Sequence, residues 1–299
     1  MNPRILGVTI IRKSDVMRLA DSTFHKTSLC ASKIFRPKCP VRTPESPAPE
    51  QRFSNRVANY VRYRPSYPAE MMPLLRRETG LSEASTVADI GSGTGISSKL
   101  FLEAGCSVFG VEPNMEMRTA AENLLSGYPK FHTINGKAQE TGLPDQSVDL
   151  IVAAQAFHWF NLPETRQEFS RILKPKPQPK GQIALIWNVR DSDSTPFLRD
   201  YEALLLRFGT DYAKVRHEQI DTVELTRFFN GPYTTHCFPN LQWLDHPSLE
   251  GRLMSSSYAP VEGEPGHAEM IAELRRLFDL HQSANKVCIE YQTQLNLGR

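Results

Sequence analysis

The chain has 299 residues, and several absences bound its chemistry first. No apolar run reaches the roughly 18–20 residues that a spanning helix requires, which excludes an integral membrane protein built on such helices. Cysteine is scarce. Cys30, Cys39, Cys106, Cys237 and Cys288 are odd in number, scattered and without a CxxC pair, so neither a disulfide framework nor a cysteine-rich zinc site is expected. A reducing, cytoplasmic compartment fits that usage. His25, His132, His217, His236, His246, His267 and His281 show no metal-ligand spacing, and no metal is expected. Charge of one sign is also lacking: 35 basic residues against 33 acidic ones leave +2, too balanced for nucleic acid as the main partner. What remains, 40% hydrophobic and 23% charged, is ordinary for a globular protein of one large domain or two small ones.

The head differs from the rest. Residues 1–50 hold nine Lys/Arg and four Asp/Glu, so the basic excess lies entirely there and residues 51–299 carry −3. Five prolines between Pro37 and Pro49 resist helix and central strand alike. The segment reads as a basic, disordered extension preceding one domain over 51–299. Organellar targeting has support from its Arg, Ser and Thr, while Asp15 and Asp21 speak against it, and Leu6–Ile11 is short for a secretory signal.

After residue 50 the pattern alternates. Thr86–Ile90, Ser107–Val111, Phe131–Ile134, Val148–Ala154 and Ile183–Trp187 read as strands; Ile96–Ala104, Met115–Leu125 and Leu162–Leu173 read as the helices among them. Strand–helix alternation predicts βαβ units, hence an α/β fold with a parallel sheet covered on both faces. The tail changes rhythm, with helices over Phe197–Phe208 and His267–His281 and strands over Thr234–Leu244 and Val287–Leu297. Lys174–Lys180 (KPKPQPK) reads as a solvated loop, and His217 and Glu218 as exposed helix.

The chemistry concentrates at Asp89-Ile90-Gly91-Ser92-Gly93-Thr94-Gly95, where a strand runs into a helix. Glycines there permit positive φ and close approach of a ligand to the backbone, and the helix that follows offers unpaired N–H groups to an anion. Glu112 ends the next strand 21 residues after Gly91, a position from which a carboxylate accepts hydrogen bonds from both ribose hydroxyls of a nucleotide. A dinucleotide fingerprint needs G-x-G-x-x-G, whereas here the spacing is G-x-G-x-G with Asp89 two residues before it.

That spacing resembles motif I of the class I S-adenosylmethionine methyltransferases. Gly136-Lys137-Ala138-Gln139-Glu140-Thr141-Gly142-Leu143-Pro144 is similar to the family loop that lies along the adenine. Ala154-Gln155-Ala156-Phe157-His158-Trp159-Phe160 resembles the segment after strand four in methyltransferase type 11 and trans-aconitate methyltransferase-like proteins. Phe53-Ser54 with Tyr60–Pro68, and Gly251-Arg252-Leu253 through Ser255–Tyr258, resemble the branch's N-terminal and late Ser-Tyr segments. Lys137 and Gln139 depart from the commoner Asp or Thr and Glu.

The resemblance implies a Rossmann-like, seven-stranded sheet of order 3-2-1-4-5-7-6 with strand seven antiparallel, and S-adenosylmethionine as cofactor. It places Gly91, Gly93, Gly95 and Asp89 at the methionine end. Glu112 and Pro113 fall at the ribose, Ala138 and Gln139 at the adenine edge, and Gln155 beyond strand four. Tyr60, Arg64 and Tyr67 belong to a lid over the cofactor, where Arg64 pairs with the cofactor carboxylate or an anionic acceptor, and Ser257 and Tyr258 face the acceptor. Met115 flanks the adenine or fills the core. His158 stands where a base would act on an acceptor hydroxyl; for a carboxylate acceptor it would bind or pack instead. The implied activity is methyl transfer to a small molecule. No Asn-Pro-Pro-aromatic motif follows strand four, which counts against nucleic-acid amino groups. A nicotinamide oxidoreductase and a non-catalytic cofactor-binding module remain as alternatives, and the oligomeric state stays open.

Overall fold

Residues 86–90, apolar or β-branched apart from Asp89, stop at a glycine and form a strand, β2 (Thr86–Ile90), at the centre of the parallel strands. The computed structural model describes residues 9–10, 56–175, 183–212 and 222–299. Phe53-Ser54, most of Lys174–Lys180, His217, Glu218, and the head apart from Thr9 and Ile10 lie outside the described residues.

On one side of β2 lie β3 (Ser107–Val111) and β4 (Phe131–Ile134); on the other lie β5 (Leu150–Ala154) and β6 (Ile183–Arg190), all parallel. The antiparallel pair β7 (Thr234–Leu244) and β8 (Val287–Gly298) completes the sheet, with β8 inserted antiparallel between β6 and β7. A two-residue strand, β1 (Thr9–Ile10), pairs antiparallel with the start of β7. Counted from Thr86, the order is 3-2-1-4-5-7-6 with the last-formed strand antiparallel.

Side chains alternate across this sheet. Ala88, Ile151, Ala153 and Leu185 face one layer with Phe169 and Ile172 of α5 (Leu162–Ile172) and Phe228 and Phe229 of α7 (Thr222–Phe229). Val87, Leu150, Val152 and Ile186 face the other, against Met71 and Leu75 of α2 (Met71–Thr79) and Phe101 of α3 (Ile96–Glu103). A third cluster joins α6 (Pro196–Phe208), α8 (His246–Met254) and α9 (His267–His281) to the early part of β8. Two further helices, α1 (Val57–Tyr63) and α4 (Met115–Leu124), flank the carboxyl end of the sheet.

Most boundaries fall within two residues of expectation, and the exceptions have causes. Helix α3 ends before Gly105, whose positive φ lets its N–H turn back to the Leu102 carbonyl. Val148 makes only an isolated bridge to Leu173, so β5 begins at Leu150. Strand β6 continues three residues past Trp187, because the long β8 pairs with it as far as Arg190↔Tyr291. That extension carries Asn188 and Arg190 beyond the sheet edge into the cavity described next.

Candidate functional site

A cavity of about 350 Å³ opens above the carboxyl ends of the parallel strands, the usual ligand position in open α/β sheets. Of the residues singled out from sequence, Tyr60, Arg64, Gly91, Gly93, Glu112, Pro113, Ala138, Gln139, Gln155 and His158 all line it, together with Ser257 and Tyr258. Asp89 and Gly95 stand behind the wall. Met115 is 64% exposed and outside the walls, while Met117 of α4 lines the cavity.

The turn after β2 is built by its glycines. Gly91 has φ +69, donates its N–H to the Val111 carbonyl at 2.8 Å, and leaves no room for a Cβ, which would fall 2.6 Å from that of Ala156. Gly93 (φ +56) faces open space, with no atom within 4 Å of where a Cβ would stand. Asp89 anchors the turn to α3: its Oδ2 accepts from the hydroxyls of Ser97 (2.7 Å) and Ser98 (2.6 Å), while Oδ1 has no partner. Complete burial pushes its carboxyl up to about 6, against the two serine hydrogen bonds.

Glu112 closes the opposite side. Its Oε2 accepts from the Gly93 N–H and its Oε1 from the Asn114 N–H, each at 2.9 Å. Burial raises its pKa and these two donors lower it. A carboxylate offers about four lone-pair positions, so two remain for a ligand. Thr94 Oγ1, in the same wall, is buried without a partner. Asn114 caps α4 by accepting from the Met117 N–H. Ala138 and Gln139 sit at the tip of a turn closed by mutual backbone hydrogen bonds between Lys137 and Glu140, both 3.0 Å. Gln155 adopts φ +57 and donates from Nε2 to the Asn188 carbonyl. His158 lies exposed on a short 3-10 turn, Phe157–Trp159, with its ring 4.6 Å from that of Trp159.

The far side of the cavity comes from α1, β6, α8 and β8, and it is basic and aromatic. Arg64 stacks on the Tyr60 ring at 4.7 Å and donates from Nη2 to the Ser255 carbonyl at 2.9 Å, but its Nε has no partner. Burial, then the nearby charge of Arg252, lowers its pKa from the ordinary value. Arg252, itself buried, donates to Tyr291 Oη and Ser256 Oγ. Neither arginine is ion-paired with a carboxylate among the described residues, whereas Arg190 is held by Glu202 and Tyr212. The segment around α1 is pinned from outside the cavity. Arg56 donates to the carbonyls of Met254, Ser256 and Ala259, and the Tyr63 ring lies flush against Gly251.

Sequence reasoning missed Asn188, Arg190, Tyr212 and Tyr291, and quoted Arg252 without a role. They come from distant segments with no shared local pattern, and Tyr291 carries the alternation of an ordinary strand. Among the described residues no group of three or more His, Cys, Asp or Glu is arranged to hold a metal, and no helix is long and apolar enough to cross a membrane.

Residues 88–177 match a family described as a methyltransferase domain. An uncharacterized methyltransferase of Mycobacterium tuberculosis is 29% identical over 247 residues, 81% of this chain and 92% of that protein. One from Schizosaccharomyces pombe is 33% identical over 154 residues, 51% of this chain and 58% of that protein. A solved chain from Anaeromyxobacter dehalogenans, named as a type II methyltransferase, superposes with a TM-score of 0.56 at 21% identity, covering 79% of this chain and 98% of that one.

Proposed function

We propose that this chain is a class I S-adenosylmethionine-dependent methyltransferase, in keeping with its methyltransferase-domain match and relatives, and that it methylates a small anionic molecule, a carboxylate, in the cavity described above, which holds both substrates. The observation that carries the acceptor class is a pair of arginines lining that cavity with the glycine turn, Arg252 buried and Arg64 half-buried, neither with a carboxylate partner among the described residues. Burying a cation without an anion is costly, and an anionic ligand supplies what the fold leaves out.

The walls suit the cofactor. Open space at Gly93, the partnerless Thr94 hydroxyl and the two spare lone-pair positions of Glu112 face the same volume. Gly91 and Gly93 give the methionine end close access to backbone, Glu112 receives the ribose hydroxyls, and Ala138 and Gln139 meet the adenine edge. Asp89 acts one step back, holding the turn against α3. Bound there, S-adenosylmethionine supplies an electrophilic methyl group on a positively charged sulfur. Arg64 and Arg252 align the acceptor carboxylate for in-line attack, and Tyr60, Tyr67, Trp159 and Phe160 exclude water around the reacting groups. A carboxylate is already ionised near neutral pH, so no base is required and His158 serves as a wall of the pocket. The one alternative with support is a hydroxyl acceptor, for which the cavity position of His158 would suit a base.

Calorimetric titration with S-adenosylmethionine, S-adenosylhomocysteine and NAD tests the cofactor reading. Micromolar binding of the first two, lost in Glu112→Ala, is expected. Binding of NAD alone, or of none of them, would overturn it.

A further inference from the structure

Outside the cavity, one buried carboxylate is joined to the cavity's wall without touching its contents. Glu168, on α5, is 8% exposed and absent from the cavity lining. Its Oε1 accepts from both the N–H (2.8 Å) and the hydroxyl of Thr141, and from Arg171 Nη2 at 2.7 Å; its Oε2 accepts from Arg171 Nε at 2.8 Å. Arg171 goes on to the Leu143 carbonyl at 2.8 Å and to Asp145 at 2.6 Å. Residues 141, 143 and 145 are thus tied to one helical turn.

These ties fix the loop that carries Ala138 and Gln139. The loop folds back on its own start: a Cβ on Gly136 would lie 2.8 Å from the Thr141 carbonyl oxygen and 3.0 Å from Val111. Between Gly136 and Thr141 the chain has only the four-residue turn closed at Lys137 and Glu140. With both ends held, the tip has little freedom to slide along the cavity. Arg171 is more than a third exposed, and ion pairs of that kind add little to stability, so stability alone does not account for a buried carboxylate here. What it adds is a fixed register for the backbone at 138–139.

We propose that Glu168 is a positioning residue for base recognition: through Thr141 and Arg171 it sets the 137–140 turn so that the cavity distinguishes adenine from a purine with a different Watson–Crick edge. This rests on the cofactor reading above. No contact between Glu168 and the ligand is involved, and the methyl-transfer chemistry is untouched.

The test is calorimetry with two probes, S-adenosylhomocysteine and its 6-oxo counterpart S-inosylhomocysteine, which differ only at the base edge. The natural protein should prefer the adenosyl compound at least tenfold. In Glu168→Gln, which keeps the shape and removes the charge, that preference should fall at least fivefold, mostly through weaker adenosyl binding. Thr141→Val removes the hydroxyl that donates to Glu168 and accepts from the Leu143 N–H at 3.2 Å, and the preference should fall about twofold; it serves also if the Gln variant fails to fold. A purely structural role would lower the melting temperature of both variants and leave the preference unchanged, which would overturn the proposal. So would a natural protein that binds both probes equally. Failure of the natural protein to bind either probe would instead overturn the cofactor reading, and this inference with it.

Discussion

The two halves of the cavity are built in opposite ways. On the turn side, the charged groups draw their hydrogen bonds from neighbouring stretches of chain: Glu112 from the N–H groups of Gly93 and Asn114, Asp89 Oδ2 from Ser97 and Ser98. All of them come from two short stretches, 89–98 and 112–114. On the far side, Arg64 and Arg252 find only carbonyl, hydroxyl and phenol partners, and two of these come from other elements: Ser255, 191 positions from Arg64, and Tyr291, 39 positions from Arg252. A site that binds an invariant ligand can be pre-organised by local sequence. A site that binds a variable one is assembled by the fold, with its charge left for the ligand to balance.

The largest effect should come from breaking the pre-organised side. In Gly91→Ala a side chain is forced into the left-handed region, about 1–2 kcal/mol, and its methyl meets that of Ala156 2.6 Å away, costing about 1–3 kcal/mol more. The turn relieves this by shifting, so cofactor affinity should fall at least about a hundredfold, as each 1.4 kcal/mol is tenfold. Differential scanning calorimetry should show a melting temperature lower by about 6–12 °C for roughly 3 kcal/mol in a chain of this size. Unchanged binding would mean that the turn is only a bend in the chain.

The far side should break differently. Arg252→Met and Arg64→Met each remove a charged donor worth about 1.5–3 kcal/mol to an anion. With the acceptor unidentified, a panel of aliphatic and aromatic carboxylic acids is the probe. For any acid turned over, each variant should lower kcat/KM about thirtyfold, chiefly through KM, while calorimetric affinity for S-adenosylhomocysteine stays within about threefold. Arg252→Met should not be less stable than the natural protein, because it removes a buried cation that has no acid partner among the described residues. Equal losses in cofactor and acceptor binding would erase the distinction between the halves.

The same contrast governs what the amino-acid sequence discloses. The parallel strands were legible because each is a short apolar or β-branched run ending at turn residues, and Gly91, Gly93 and Glu112 because their spacing is local. Arg190 and Asn188 were not, since they reach the cavity only because β8 outlasts the expected end of β6. Helix α8 was hidden as well: its nine residues include Gly251, which weakens the helical pattern but is required where the Tyr63 ring lies against it. Nor does any local signal join Arg64 to Ser255, because only the closed fold brings α1 against the end of α8.

The smallest expected effect is the most discriminating. His158 is exposed in the cavity wall, stacked obliquely on Trp159, at the place where an acceptor base would stand. General-base catalysis contributes about 10²–10⁴-fold where the acceptor must lose a proton. A carboxylate with a pKa near 4 has already lost it at pH 7. For a carboxylate acceptor, His158→Gln should therefore change kcat by less than about threefold, and the rate should stay flat between about pH 6 and 9 in both proteins. A hundredfold loss, with a pH-dependent limb in the natural protein that the variant lacks, would assign the proton transfer to His158. It would make the acceptor a hydroxyl, and the two arginines would then bind an anionic group that is not itself methylated.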